Sequence, residues 1–188
     1  MTHQYQLALI IGSVRAGRVG PTVAGWFRHQ AEQHGGAQLD VIDLADLDLP
    51  ADLDGGGDTA MFGKRIEAAD AVVVVTPEYN HGYPGALKTA IDSAYEQWRA
   101  KPVGFVAYGG ISGGLRAVEQ LRPVFAELHA VTVRASVSFH HVHDQVVSGE
   151  LRPSARAASA AAKLLTELGW WARALRHARA AEAYEPAE

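Results

Sequence analysis

The sequence predicts a doubly wound α/β fold, a five-stranded parallel sheet with helices on both faces. Three apolar runs carry that prediction: Leu7-Ala8-Leu9-Ile10-Ile11, Ala71-Val72-Val73-Val74-Val75 and Pro102-Val103-Gly104-Phe105-Val106-Ala107-Tyr108. Each is short and apolar throughout, the pattern of strands buried on both faces. Each also runs into a glycine-bearing loop, and helical patterns alternate with the strands, which points to a parallel sheet with right-handed crossovers. Because the glycine loops follow strands one, three and four, the expected order is 2-1-3-4-5. Its switch point lies between strands one and three, where ligands gather outside the carboxyl ends.

The elements follow in order along the chain. Thr22 to Gln33 carries Val23, Ala24, Trp26, Phe27 and Ala31 at helical spacing, with Pro21 suited to an early helical position and Gly35-Gly36 ending the segment. Gln38 to Leu44 reads as a second strand near an edge, and Asp46 to Asp58, with Pro50 and Gly55-Gly56-Gly57, as a loop. Asp58 is placed to cap a helix from Thr59 to Ala69. A helix opens at Pro84 and is expected to run to about Trp98, with Leu87, Ile91, Ala94, Tyr95 and Trp98 on one stripe widened by Ala90. Gly114 to Leu128 is amphipathic, and Val131 to Val137 is the fifth strand. Ser154 to about Ala183 is Ala-rich and helical, with Gly169 as an expected break. No linker or repeat divides the chain, so residues 1–188 read as one domain.

Composition bounds the function. A net charge of -4 argues against nucleic acid as the main partner. The chain has no cysteine, which removes disulfides and thiolate catalysis and fits a reducing compartment. The amino-terminal segment from Met1 to Gln6 lacks the basic region of a secretory leader, and no run approaches the about 20 apolar residues of a membrane span. A cytoplasmic protein without a membrane partner is expected.

The three loops carry the chemistry. Gly12-Ser13-Val14-Arg15-Ala16-Gly17-Arg18, followed by Gly20, combines close backbone approach, a hydroxyl and two guanidinium groups at the start of a helix. It suits one phosphate monoester. Arg18-Val19 stands where a P-loop needs Lys and Ser/Thr, and no G-x-G-x-x-G is present. The alternative is a tight turn with two solvated arginines. Pro77-Glu78-Tyr79-Asn80-His81-Gly82-Tyr83-Pro84 is stiffened by its prolines and suits a planar heterocycle, which backbone N–H groups, the Asn80 amide and the two tyrosines would meet. Glu78 is either an acid catalyst or a loop or dimer-contact residue. Gly109-Gly110-Ile111-Ser112-Gly113-Gly114 offers a backbone nest for the edge of such a ring, or only a packing turn. His140, His141 and His143 read as a surface or interface cluster rather than metal ligands, and Trp170-Trp171 as a packing pair.

On these residues the chain resembles the NADPH-dependent FMN reductases, flavodoxin-like proteins that include quinone and azo-dye reductases. The resemblance runs from about Gln6 to Val137. It rests on Gly12-Ser13-x-Arg15-x-Gly17-Arg18-x-Gly20, on Pro77 through Lys88, and on Tyr108-Gly109-Gly110-x-Ser112-Gly113-Gly114. It implies that Ser13 through Arg18 hold the FMN phosphate, that Pro77 to Asn80 lie along the isoalloxazine ring, and that Gly109 to Gly114 border its other side. It also implies a homodimer or dimer of dimers. Where the family usually has a proline-rich loop with an aromatic residue, this chain has the short Ala51–Asp58 stretch without aromatics.

The expected activity is transfer of a hydride from NADPH or NADH through bound FMN to a small-molecule acceptor such as a quinone, azo compound or free flavin. The flavin carries the chemistry and no side chain is assigned as catalytic. A non-catalytic FMN electron carrier is the alternative, and a phosphate-binding regulatory module a third reading. The helix from Pro84, apolar beyond the needs of one sheet face, is expected to build the dimer.

Overall fold

A computed structural model describes residues 4–185; residues 1–3 and 186–188 lie outside the described residues. Five parallel strands, β1 (Tyr5–Ile11), β2 (Ala37–Asp43), β3 (Ala71–Pro77), β4 (Pro102–Tyr108) and β5 (Val131–Phe139), form one sheet in the order β2-β1-β3-β4-β5, as expected. The helices are α1 (Gly20–His34), α2 (Thr59–Ala68), α3 (Gly85–Asp92), α4 (Leu115–Glu127) and α5 (Ala155–Ala181). Strand periodicity divides the core in two. Leu7, Leu9, Val73 and Val75 pack with α1 and α5 on one face, while Ala8, Ile10, Val72 and Val74 pack with α2, α3 and α4 on the other.

Four local expectations are corrected. The helix from Pro84 ends at Asp92, and Glu96–Trp98 form a separate 3-10 turn. Of its stripe, Leu87, Ile91, Ala94 and Trp98 are buried in this chain's own core, as is Ala90, and only Tyr95 is exposed. The 3-10 turn brings the Trp98 ring inward, against Phe62 and Phe125, so all of the stripe but Tyr95 is core. Gly169 does not break α5: it is buried mid-helix, where a Cβ would stand 3.2 Å from the Tyr5 ring, so its bare backbone lets the helix seat on β1. Asp58 does not cap α2; its carboxylate accepts the Asp48 N–H at 2.9 Å and closes the preceding loop. A small hairpin of β6 (Val146–Val147) and β7 (Glu150–Leu151) joins β5 to α5 through Ser148-Gly149, both at positive φ. That two-residue Ser-Gly turn between two short strands is the hairpin signal that sequence reading missed.

Side chains cover the β5 edge. Register shifts beyond Val103, and Glu167 from α5 accepts the N–H groups of Arg134 and Ala135 at 3.1 and 2.9 Å. Arg122 from α4 donates to the carbonyl of Val133 at 2.9 Å. At the opposite edge Arg65 donates to the Val41 carbonyl at 2.8 Å while holding Asp40.

At the amino-terminal end of the sheet, Asp70 accepts from the Gln6 N–H and from Arg176, and the buried Lys101 donates to the carbonyls of Glu67 and Ala69. Burial, helped by the nearby Arg179 charge, pushes the Lys101 ammonium down to about 8 from 10.5. Between those values the unfolded chain binds the proton that the folded chain has released, so stability rises with pH there, and the cost of burying the charge is fully present below about 8. We therefore expect the urea midpoint of the wild type to climb relative to that of Lys101→Met as pH is raised through this window. A gap that stays constant with pH would show that Lys101 titrates as it does in water.

Candidate functional site

The three glycine loops meet at the carboxyl edge of the sheet, after β1, β3 and β4. The Gly12 N–H donates to the Val75 carbonyl at 2.9 Å, and beyond that point the first loop leaves the sheet. A Cβ on Gly12 would lie 3.1 Å from Leu87 of α3. From Ser13 through Gly17 no backbone N–H has a protein acceptor among the described residues; the next one engaged is Arg18, which donates to the Arg15 carbonyl and closes a turn. Five consecutive open donors thus stand ahead of the α1 amino terminus, where the helix dipole favours negative charge.

The two arginines of this loop separate. Arg18 grips the carboxylate of Asp43, at the end of β2, with 2.5 and 2.8 Å bonds and donates to the Ser13 carbonyl at 2.7 Å. Both members of that pair are mostly buried. Asp43 accordingly holds the Arg18 guanidinium in its charged form, and the fork is committed to shaping the loop. Arg15 is exposed and has no ion-pair or side-chain hydrogen-bond partner among the described residues. Ser13 is completely buried, and its hydroxyl faces the Tyr79 hydroxyl of the second loop at 2.6 Å. Gly20 is also buried; a Cβ there would meet Ile11 and the Tyr108 hydroxyl at 3.0 Å each.

The second loop is tied at both ends. Pro77 is the last residue of β3 and is buried, and the Glu78 N–H donates to the Tyr108 carbonyl. The Glu78 carboxylate accepts the Arg116 N–H, at the start of α4, and its guanidinium, both at 3.1 Å. Burial opposes the Glu78 charge, but the Ser112 hydroxyl and the two Arg116 donors outweigh it and lower its pKa. Glu78 thus stays ionised as a strut between the second and third loops. Tyr79 and Gly82 exchange backbone bonds of 2.8 and 3.1 Å around Asn80 and His81, both at positive φ. This tight turn, steadied by Gln120 donating to the His81 carbonyl, leaves the Asn80 side chain exposed.

In the third loop, Gly113 and Gly114 have positive φ, and a Cβ on Gly114 would press to 2.7 Å on Ala107 and the Tyr108 N–H. Gly109 bonds to the Phe139 carbonyl, and Gly110 is exposed. The ring of His140 donates to the Ile111 carbonyl at 2.8 Å, and Ser138 to Gly113. His140 is therefore a prop for this loop. Asp43, Arg116 and Gln120 escaped sequence reading, and His140 was read only as part of a surface or interface cluster, because their partners are distant in the chain.

With this geometry in view, comparison with known proteins is decisive: the family model of the NADPH-dependent FMN reductases matches residues 5–144. The chain belongs to the NADPH-dependent FMN reductase family. An NAD(P)H-dependent FMN reductase of Schizosaccharomyces pombe is 32% identical over 160 residues, 79% of this chain and 80% of the relative. A quinone reductase of Escherichia coli is 30% identical over 142 residues, 71% and 76% of the two chains. Among solved structures, the flavoenzyme NAD(P)H:(acceptor) oxidoreductase FerB of Paracoccus denitrificans superposes with a TM-score of 0.71 at 23% identity, covering 90% of this chain and 98% of that one, and so shares the fold.

The separation of the arginines within this family member's first loop is measurable. Arg18→Ala strands a mostly buried carboxylate and is expected to cost about 1.5–3 kcal/mol, the range for hydrogen bonds to charged groups. Arg15→Ala should stay within about 0.5 kcal/mol of wild type, as an exposed unpaired side chain does. Urea unfolding of the cofactor-free protein checks both, and equal losses would refute the division of labour.

Proposed function

We propose that the protein is an FMN-dependent NAD(P)H oxidoreductase acting on a small-molecule acceptor of the quinone or azo class, with FMN laid across the three loops. The observation that carries this reading is the row of open N–H groups from Ser13 to Gly17 beside the unpaired Arg15. That row fits a terminal phosphate: oriented donors, a positive helix end and a free guanidinium meet a dianion. FMN held there would supply the two-electron redox chemistry that links a nicotinamide hydride to the acceptor.

This chain's residues bind and position. The loop 13–17 N–H groups and Arg15 would hold the phosphate, and Arg18 would shape the loop through Asp43 and the Ser13 carbonyl. Pro77, Glu78, Tyr79 and Asn80 would lie along one edge of the ring, and Gly109, Gly110, Ser112, Gly113 and Gly114 along another. The Glu78–Arg116 strut would keep those two edges at a fixed distance. Gly12 and Gly20 would allow the loop to approach α3 and Tyr108 closely.

The reading extends to a single domain and to a cytoplasmic setting supplied with reduced nicotinamides; no helix among the described residues is long and apolar enough to cross a membrane. It also retains a homodimer, now supported by exposed Val14, Ile111 and Leu115 around the loops rather than by α3. Light scattering tests the homodimer, and a 20.1 kDa particle with FMN bound would overturn it.

The cofactor assignment is tested by reconstitution and an absorbance spectrum before and after anaerobic NADPH. Uptake of FMN and bleaching of its visible bands is the expected result. Failure to take up flavin would end the reading, and uptake without bleaching would favour an electron carrier. Arg15→Ala should weaken FMN binding by about ten- to a hundredfold, the equivalent of a charge-assisted contact, while the loaded variant is reduced at close to the wild-type rate. Unchanged affinity would remove Arg15 from the phosphate site.

A further inference from the structure

The side chain of Ser13 is engaged outside the loop whose open backbone N–H groups begin with its own. It is completely buried, and its hydroxyl meets the Tyr79 hydroxyl at 2.6 Å. Its carbonyl is held by Arg18 at 2.7 Å. Tyr79 is fixed at its other end, because its backbone N–H and carbonyl both bond to Gly82 and close the Asn80-His81 turn. The phenol is therefore a rigid lever: one end sits under the first loop, and the other is built into the turn of the second. Tyr108 lies close enough to the same serine to interact with it, but its buried hydroxyl makes no hydrogen bond of good geometry, and the short bond of Ser13 goes to Tyr79.

We propose that the Ser13–Tyr79 hydroxyl pair is a tie through which phosphate bound at the first loop fixes the second loop, so that the protein selects phosphorylated over unphosphorylated flavin by coupling the loops as well as by direct contact. The inference rests on the flavin reading above and assigns both residues a positioning role. When the open N–H groups close on an anion, the Ser13 backbone moves with them. Its hydroxyl can keep its short bond only if Tyr79 and the Asn80 turn adopt one matching position. A site ordered once by phosphate then binds the ring with less left to order. By linkage the effect is reciprocal, so phosphate and ring bind cooperatively even as separate molecules.

The test uses the two halves of the cofactor on the full chain. Riboflavin is titrated by fluorescence quenching, with inorganic phosphate or with sodium chloride at matched ionic strength. In the wild type, phosphate is expected to tighten riboflavin binding about fivefold or more. In Tyr79→Phe and in Ser13→Ala, each compared with its own riboflavin affinity in sodium chloride, phosphate no longer alters riboflavin binding. Tyr108→Phe retains the effect. Wild-type riboflavin affinity indifferent to phosphate, with FMN binding intact, would overturn the tie alone. So would coupling that survives in Tyr79→Phe or is lost only in Tyr108→Phe. A wild type that binds neither flavin removes the underlying reading and the tie with it.

Discussion

The hydrogen bond from the Gly12 N–H to the Val75 carbonyl, 2.9 Å long, is the last rung that joins β1 to β3. Below it, both strands are sealed between two hydrophobic layers and have no freedom to shift register, since a one-residue slip would exchange the two faces. Above it, the chains diverge, because α1 and α3 lie on opposite sides of the sheet. The crevice at the switch point follows from that divergence. Everything that the first loop offers to an anion starts one residue past this rung, and the second loop starts at the equivalent level of β3. The precision of the site comes from the dry sheet beneath it.

Polar cross-links then turn three separate loops into one surface. Arg18 joins the first loop to β2, Ser13 and Tyr79 join it to the second, Glu78 and Arg116 join the second to α4, and His140 props the third from the end of β5. The magnitudes rank these links. Exposed pairs such as Arg28–Glu32 contribute about 0–1 kcal/mol. Charged hydrogen bonds between mostly buried partners, such as Arg18–Asp43, are worth about 1.5–3 kcal/mol each, and Glu78–Arg116, with its arginine half-exposed, falls between the two classes.

The fold was legible because its signals are local: fully apolar runs, glycine turns and alternating periods settle strand order once the loops are seen to follow strands one, three and four. The three loops of the candidate site were legible for the same reason. What was not legible is how side chains share work across the fold. Arg15 and Arg18 look equivalent in sequence, and only the placement of Asp43, 25 residues away, separates them. Ser13 looks like an outward hydroxyl until the Tyr79 ring appears beside it. The apolar stripe after Pro84 was misjudged because its last residues turn inward through a 3-10 turn to meet Phe125 across the core. Gly169 was misjudged because helix propensity says nothing of the tyrosine ring that needs its space.

The covered sheet edges have a consequence for assembly. On β5 the Val133 carbonyl and the Arg134 and Ala135 N–H groups are engaged by Arg122 and Glu167, and on β2 Arg65 occupies the Val41 carbonyl. An added strand would have to displace charged side chains from bonds they already satisfy, and would meet guanidinium groups on both flanks. Those bonds work against open-ended polymerisation through the sheet at these positions, the hazard of any exposed β edge.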